Sequence, residues 1–467
     1  MEEKSKNKMG EAPIATLLLK MALPMIFSMV MSALYNIVDS IFIGMIEAPF
    51  NSLALTALGY AFPLQLLLVS VAIGTGIGVN ALLSKALGEK KSEVVSKTAS
   101  MGYLIMVGFF VFFLVIGFLM YFSSFYFKWV SQDENVVRMG SRYLGLCFIF
   151  SLPQLLQLVS ERTLCATGKT HLAMVMQLSG AIVNIALDPL FILVFNLGVE
   201  GAAIATIIGQ SVSMVVGFIL NIRCNKEISL KLSPSSFKPD FGIIGGIFKV
   251  GLPAILLQTL QSLQTLVLQI VFVILFSSSP ETIDTLVAVY GVFYKLENFI
   301  LMAFYGLINA LLPIVGFNLG IGNEKRARQA SFYGYLYGLV IALIGIVLFE
   351  TIPGPLLTLF NLPSKWLPLG ENISRIIAPT FIFASICIVS CGVFEGLGNG
   401  LHPLLITLFR LLLLLLPSCC LFGFYLGCDN IWWGSYVAEV TSSIYALVFV
   451  FLNLKKCFSK EKRGKAK

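Results

Sequence analysis

The chain has 467 residues, of which 57% are hydrophobic and only 12% are charged, and its mean hydropathy is +0.90. Because a soluble domain carries about 25% charged residues, this composition excludes an ordinary soluble protein and predicts a chain embedded in a membrane almost throughout. The formal net charge of +8 is assigned to the cytoplasmic side, where anionic lipids attract basic residues. Nucleic acid is therefore not expected as a partner.

Apolar runs long enough to cross a bilayer follow one another along the chain, since about 20 residues suffice for a spanning helix. Twelve runs are predicted, at about 14–45, 53–84, 95–127, 136–160, 171–196, 200–222, 242–276, 284–317, 330–352, 372–396, 401–427 and 432–454. They fit helices better than barrel strands, which would be shorter and would alternate in hydropathy. The predicted fold class is an all-α polytopic membrane protein with twelve transmembrane helices.

The longest polar gap lies near the middle of the chain and divides the runs into two groups of six. The predicted segments are a cytoplasmic N-terminal tail at 1–13, an N-terminal six-helix bundle at 14–224, a cytoplasmic connector at 225–240, a C-terminal six-helix bundle at 241–456 and a basic cytoplasmic tail at 457–467. Lysine and arginine concentrate in the segments that face the cytoplasm when both termini lie inside. We therefore expect a multi-pass protein of the plasma membrane with both termini cytoplasmic.

The two halves resemble each other at three places. The stretch 20–24 reads Lys-Met-Ala-Leu-Pro, and 249–253 reads Lys-Val-Gly-Leu-Pro, 229 positions later. Two pairs of connectors are also similar, 87–91 with 320–326 and 166–169 with 397–400. Three matches in order at a nearly constant offset predict two pseudo-symmetric six-helix bundles. Parallel repeats of this kind are related by an axis along the membrane normal and enclose a central cavity.

The first run contains one charge between Lys20 and Glu47, the carboxylate of Asp39. A charged side chain in hydrocarbon costs roughly 3 kcal/mol on insertion scales, so such residues usually face a protein interior or a wet cavity. Residues three and four apart share a helix face. The face that carries Asp39 also carries the polar residues Ser28, Ser32, Tyr35 and Asn36. Asp39 is therefore predicted to be the working acid of the protein.

A second acid lies in the fifth run, where Asn184 and Asp188 are one helical turn apart and Gln177 shares their face. Pro189 follows and removes one backbone donor, which favours a bend. In the sixth run, Thr206 supplies a hydroxyl on a face of small residues. Asn184 and Asp188 could instead serve only helix packing, although an ionised aspartate is an expensive contact for that purpose.

Together these motifs resemble the MATE (multidrug and toxic compound extrusion) transporters, especially their bacterial branches. The resemblance extends over about 14–456. It is carried by Leu19-Lys-x-x-Leu-Pro24, Tyr35-Asn36-x-x-Asp39, Gly88-Glu89, Arg162 with Gly168 six residues later, Asn184-x-x-Leu-Asp188-Pro189 and Gly201-Ala-Ala-x-Ala-Thr206. It implies a secondary active multidrug efflux antiporter. Such a protein exports organic, often cationic compounds in exchange for H+ or Na+ by alternating access.

The resemblance also implies a cation site in the N-terminal bundle. The matching positions in this chain are Asp39, Asn184, Asp188 and Thr206. Carboxylate, amide and hydroxyl oxygens suit a small hard cation, and two carboxyl groups held together titrate as one unit. Proton coupling and sodium coupling both stay open. No cofactor besides the coupling ion is expected, and no metal site beyond Na+ at these four residues.

The C-terminal half departs from this pattern. Leu268 stands where the repeat would place an acid equivalent to Asp39, and the seventh run carries amides instead. These amides and the polar stripe of the first bundle are predicted to line the substrate cavity. The predicted cavity residues are Tyr35, Asn36, Gln177, Gln258, Gln261 and Gln264.

The remaining charges within the runs leave one alternative function. Lys295 and Arg410 lie at membrane depth, and a lipid-linked precursor flippase of the same superfamily would use a basic cavity for its pyrophosphate. Such flippases often have more than twelve helices, which disfavours this alternative. The acids Glu297, Glu395 and Glu439 are interpreted as pairing or capping groups, and Arg410 has no assigned role.

No motif for ATP-driven transport or hydrolysis occurs in the chain, so an enzyme is not predicted. The expected partners are small organic substrates and the lipid bilayer. The protein is expected to act as a monomer.

Overall fold

A computed structural model of the chain describes residues 7–46, 50–228, 238–262, 264–276, 280–359, 362–427 and 430–465. Within these ranges the regular structure is helical, and no strand occurs. In lipid every backbone donor and acceptor must be satisfied by the protein itself, which an apolar helix achieves alone. The predicted all-α class is confirmed.

The first half contains long helices joined by short turns. Its helices are α1 Lys8–Glu11, α2 Ile14–Gly44, α3 Phe50–Gly88, α4 Ser92–Ser123, α5 Phe125–Val130, α6 Glu134–Ile149, α7 Leu152–Ala166, α8 Thr170–Pro189 and α9 Gly198–Cys224. A π-helical turn, Leu190–Val194, continues α8. The pair α6 and α7 is bent by 49° at the short break between the two helices.

The second half is built in the same way. Its helices are α10 Phe241–Ser262, α11 Gln264–Phe276, α12 Pro280–Ile321, α13 Glu324–Thr351, α14 Pro353–Leu359, α15 Leu367–Ile377, α16 Phe381–Gly396, α17 Leu401–Leu408, α18 Leu416–Leu426 and α19 Trp433–Lys465. A π-helical turn, Phe409–Leu415, joins α17 to α18. Among the described residues, 11 helices can cross a membrane by length and composition, or up to 12 when the bent pair counts as one span. The predicted twelve-helix fold is confirmed.

The predicted tails contain regular structure of their own. The short helix α1 lies within the predicted N-terminal tail at 1–13. At the other end α19 continues to Lys465, so most of the predicted basic tail at 457–467 is the last part of a helix. In the predicted connector at 225–240, residues 229–237 lie outside the described part of the chain.

The chain forms two compact units whose boundaries fall inside helices. One unit contains α2 up to Ile26 and the chain from Leu256 onward, and the other spans Phe27–Ile255. The prediction instead divided the halves at the connector. The difference arises because the start of α2 packs tightly on α12: a Cβ atom added at Gly306 would lie 2.5 Å from the backbone nitrogen of Ile26. Similarly, a Cβ atom added at Gly74 would lie 2.4 Å from the backbone nitrogen of Ile255.

The start of α10 is tied to α4 within the unit Phe27–Ile255. Asp240 accepts hydrogen bonds from the backbone of Gly242 at 3.1 Å and Ile243 at 3.2 Å, and Lys97 Nζ donates to its carboxylate at 3.1 Å. The Lys97 ammonium, and then the Ile243 N–H, hold the pKa of Asp240 below its usual range. This contact therefore stabilises fully above the ordinary aspartate pKa and is lost as pH falls through the lowered value.

The turns at equivalent positions of the two halves have the same backbone conformation. Gly168 and Gly398 have φ of 82° and 74°, and Lys90 and Gly322 have φ of 59° and 86°. At each of the four turns this residue donates to the carbonyl three residues earlier, and the next residue donates to the carbonyl five earlier. These paired bonds are the Schellman motif that ends many helices. The similarity predicted from the connectors is therefore present in the structure.

A side-chain contact repeats as well. The hydroxyls of Tyr103 and Ser160 share a hydrogen bond of 2.9 Å between α4 and α7. Tyr335 and Ser390 share one of the same length between α13 and α16. Sequence reasoning did not detect this pair of contacts, because single tyrosines and serines are common in apolar helices.

Candidate ion-binding site

Two acids from separate helices meet in the unit Phe27–Ile255. Asp39 lies on α2 and Asp188 lies at the end of α8, and their carboxyl groups interact directly with each other. The structure thus brings together the two acids that were predicted to share an ion site.

Asn184 completes the inner part of the site. Its Nδ2 donates to Asp188 Oδ1 at 3.3 Å, and the two residues are only 3% and 0% exposed. Three oxygens of the group are buried without a hydrogen-bond partner among the described residues, namely Asp39 Oδ1, Asn184 Oδ1 and Asp188 Oδ2. Buried oxygens with free lone pairs fit a small hard cation, which prefers oxygen ligands.

The end of α8 shows why the site forms there. Pro189 has no backbone N–H, so one hydrogen bond of a regular helix is missing after Asp188. The chain continues as the π-helical turn Leu190–Val194, a feature that often marks functional positions. The bend expected from the proline takes the form of this turn.

Thr206 is brought to the level of the acids by close packing of α8 and α9, which run antiparallel. A Cβ atom added at Gly209 would lie 2.7 Å from the carbonyl oxygen of Gly180 and 3.0 Å from Asn184 Cβ, so the backbones touch there. Because Gly209 lies level with Asn184, Thr206 lies one turn along, close to the level of Asp188. Thr206 is half-buried, and within the described residues no hydrogen bond joins its hydroxyl to the two acids.

Tyrosines surround the acid pair. Tyr35 is half-buried, hydrogen-bonds with Ser32 and interacts electrostatically with Asp39 and Asp188. Tyr143 on α6 also interacts with Asp39, and its hydroxyl is 3.5 Å from Gln65 Oε1. Sequence reasoning found Tyr35 from its place on the polar face.

Sequence reasoning did not identify Tyr143 and Gln65 as residues near the acid pair. Each is a single polar residue within a largely apolar stretch of a separate run. A spacing pattern within one helix gives no signal for such residues.

Gln177 belongs to a hydrogen-bonded chain rather than to an open surface. Ser28 on α2 donates to its amide oxygen, and its Nε2 donates to Glu161 Oε2 at 2.5 Å. Glu161 also pairs with Arg162 at 3.8 Å, and these two side chains are only 1% and 4% exposed. The amide predicted to line the substrate cavity therefore links α2 to a buried ion pair on α7.

The structure describes only some of the other predicted cavity residues. Gln258 is half-buried on α10. The side chains of Asn36, Gln261 and Gln264 lie outside the described residues. Among the described residues no group of three or more His, Cys, Asp or Glu side chains forms a metal site.

Comparisons with known proteins identify the family of the chain. The sequence profile of the MatE family matches residues 24–190 and again 253–421. The second match begins 229 residues after the first, at the offset found between the two Leu-Pro motifs. The predicted internal repeat is thus confirmed.

Relatives cover nearly the whole chain. The multidrug export protein MepA of Staphylococcus aureus (strain MRSA252) is 23% identical over 458 residues, 97% of each chain. The protein of the same name from Staphylococcus haemolyticus (strain JCSC1435) is 23% identical over 444 residues, 94% of each. A solved outward-facing multidrug resistance MATE family transporter of the MOP superfamily superposes with a TM-score of 0.89 at 20% identity, over 98% of this chain and 99% of that one. Because the two MatE matches together cover well over half of the chain, the protein belongs to the MATE family and is a membrane transporter rather than an enzyme.

Proposed function

We propose that the protein is a secondary active efflux antiporter that exports organic, often cationic compounds in exchange for H+ or Na+. The observation that carries the proposal is the buried contact between Asp39 and Asp188, with Asn184 bonded to the second acid. Burying two acids in one membrane protein interior is expensive, and such residues usually serve ion pathways. The similar MepA proteins are multidrug export proteins by name, which supports export of varied compounds.

The proposed cycle uses Asp39, Asp188 and Asn184 as the ion site, with Thr206 at its edge. The ion enters from outside and fills the free lone pairs of the buried oxygens. Its binding changes the hydrogen bonds of Asp39, which lies on α2, a helix that belongs partly to each compact unit. The resulting change in α2 disfavours retention of the substrate, which leaves outward. The ion is then released inward. The protein works as a monomer in the plasma membrane with both termini cytoplasmic.

A flippase for lipid-linked pyrophosphates fits the structure less well. Such a substrate needs free cations in its cavity. Arg410 is paired with Glu439 at 3.4 Å, and Lys295 is exposed. Neither side chain offers a buried basic surface for a pyrophosphate.

The decisive test is transport in proteoliposomes. Efflux of a cationic dye is measured with a pH gradient and a sodium gradient imposed separately, so that the coupling ion is identified. In Asp39→Asn the efflux driven by the active gradient should fall to the level of protein-free liposomes, because the neutral amide neither binds a proton nor balances a cation. Full gradient-driven efflux in this variant would contradict the assignment of Asp39 to the ion site.

A matched control is available on the same unit. Asp133 is exposed and caps α6 by accepting from Asn135 N–H at 2.8 Å. Because asparagine caps helices as well as aspartate, Asp133→Asn should retain the efflux of the unmodified protein. Equal losses in both variants would indicate a general defect rather than a lost ion site.

A further inference from the structure

A second group of buried charges lies in the unit that begins at Leu256. Arg410, in the π-helical turn Phe409–Leu415, pairs with Glu439 on α19 at 3.4 Å, and these side chains are 11% and 15% exposed. Glu297 on α12 interacts electrostatically with both of them. The structure thus confirms that Glu439 is a pairing group, and it adds a third charge that the pair does not neutralise.

The charges of this cluster do not balance when all three groups are ionised. Two carboxylates and one guanidinium leave a net negative charge in the membrane interior, where uncompensated charge is strongly unfavourable. Arg410 Nε and Glu439 Oε2 are buried without hydrogen-bond partners among the described residues. One added proton would make the cluster neutral. Since Arg410 pairs with Glu439, Glu297 is the carboxylate left to receive it.

The size of the adjoining cavity limits what else could bind. Its volume is about 20 Å³, and it is lined by all three charged residues together with Tyr290, Thr380 and Ser435. A single water needs about 10–15 Å³ of such space, whereas pockets for organic ligands measure about 300–1,000 Å³. The cavity therefore admits water to Glu297 and excludes a transported compound. The guanidinium of Arg410 opposes a second cation, which leaves the proton as the fitting ligand.

Other titratable groups near the cluster are of types that are ordinarily uncharged at neutral pH. They are Tyr290, Tyr294 and Tyr305 on α12, and Cys387 and Cys391 on α16. Glu395 on α16 acts on Cys391, and the neighbouring Lys295 is exposed. Helix α11, over 264–276, contains no titratable residue. In the described part of α13 and α15, no charged group acts on Glu297.

We propose that Glu297, Arg410 and Glu439 form a second proton-binding site, in which Glu297 takes up one proton from cavity water while the other two residues stay paired. Only an O–H bond forms and breaks. Exchange of this proton for substrate rests on the proposed function. Binding of the proton by Glu297 does not depend on it. The site lies on α12, the π-helical turn Phe409–Leu415 and α19, and none of its three residues stands 229 positions after Asp39 or Asp188.

The structure supplies an optical reporter. Trp432 stacks on Tyr290 with ring centroids 5.5 Å apart, and Tyr290 lines the cavity. The chain has four tryptophans, so replacing Trp129, Trp366 and Trp433 by phenylalanine leaves Trp432 alone. Its fluorescence is then titrated against pH in the full chain in detergent micelles. We expect one transition of the fluorescence with pH. Glu297→Gln should abolish this transition, and Glu297→Asp should retain it at a different pH. The controls Asp39→Asn and Glu371→Gln should leave it unchanged.

Infrared spectroscopy provides the second measurement. Protonation of Glu297 gives a pH-dependent carboxylic-acid C=O band that disappears in Glu297→Gln and persists in Glu371→Gln. A Trp432 transition unchanged in Glu297→Gln, or the lack of any such band dependent on Glu297, would overturn the proposal. Thermal unfolding of each variant confirms that it is folded. If the band is present while the unmodified protein shows no gradient-driven efflux, the proton site stands and the proposed antiport fails.

Discussion

Functional residues of this protein can be recognised in the sequence where they are charged and lie in an apolar run, because burying a charge costs free energy. Asp39 was predictable because no other charge lies near it in an apolar run, and Asp188 because it shares a helix face with Asn184. The contact between the two acids is consistent with both predictions. The cluster at Glu297 was not predictable as a site. Its three members come from distant runs, and only the packing of α12, the π-helical turn and α19 brings them together.

The buried pair of Glu161 and Arg162 gives a prediction at the same scale. Glu161→Ala should lower the free energy of unfolding by about 3–5 kcal/mol, because it removes the carboxylate of a buried ion pair. It also removes the acceptor of Gln177. The measurement is thermal or denaturant unfolding in detergent micelles.

An exposed pair in the same unit serves as the control. Arg142 and Glu200 are 2.8 Å apart, but their side chains are 46% and 32% exposed. Glu200→Ala should therefore cost less than about 1 kcal/mol. If the two substitutions destabilise the protein equally, burial does not determine how much the Glu161–Arg162 pair contributes to the free energy of unfolding.

Helices and turns were the most predictable level of the structure. The runs marked the spanning helices because an apolar segment of sufficient length has few alternatives in lipid. The stretch Gly74-Thr-Gly76-Ile-Gly78 is a helix-packing face: atoms of Ile255, Arg162 and Ile247 lie within 3.0 Å of Cβ atoms added at the three glycines. The π-helical turns could not be predicted, since they depend on the tertiary fit of single side chains.

This packing face predicts the effect of one methyl group. In Gly74→Ala the new Cβ would lie 2.4 Å from the backbone nitrogen of Ile255, so α3 and α10 must separate. Overpacking of this kind costs about 1–3 kcal/mol. In Gly108→Ala on α4 no atom lies within 4 Å of the new Cβ, and alanine favours the helix by about 0.5–1 kcal/mol. Opposite shifts of the unfolding midpoint are expected, and two shifts of the same sign would contradict the packing assigned to Gly74.

At the scale of the whole molecule, the sequence predicted two halves but not how the compact units divide them. The repeat placed the halves correctly in sequence, as the two MatE matches show. The unit boundaries at Ile26 and Ile255 were not predictable from hydropathy, because both positions lie in apolar stretches of α2 and α10 with no change in composition. The contacts of Gly306 and Gly74, which set these boundaries, depend on the tertiary fold.

The N-terminal segment is held to the later part of the chain by Arg326, together with Asn318 and Tyr337, which donate to the carbonyls of Met9 and Ala15. Arg326 Nη2 donates to the carbonyls of Met9 at 3.2 Å and Ala12 at 2.7 Å. Arg326→Ala should loosen α1, since hydrogen bonds from a charged donor contribute about 1.5–3 kcal/mol each. Faster amide hydrogen exchange over 8–17, measured by mass spectrometry, checks this.

Arg328 is the matched control for this prediction. It lies one half-turn away and pairs with Glu324 at 2.6 Å on an exposed surface. Such a pair contributes at most about 1 kcal/mol, so Arg328→Ala should leave exchange over 8–17 unchanged. Similar exchange in both variants would show that Arg326 does not hold the segment.

The division of α2 and α10 between the compact units has a consequence for ancestry and for protein engineering. Each unit includes the first part of the opposite half: residues 14–26 belong to the unit of the second half, and residues 241–255 to the unit of the first. A chain of half this length, built on the same plan, would be complete only as a pair of copies that exchange these segments, as in domain swapping. Cutting the gene at the connector therefore yields two fragments that must be co-expressed, because neither contains all the pieces of a compact unit.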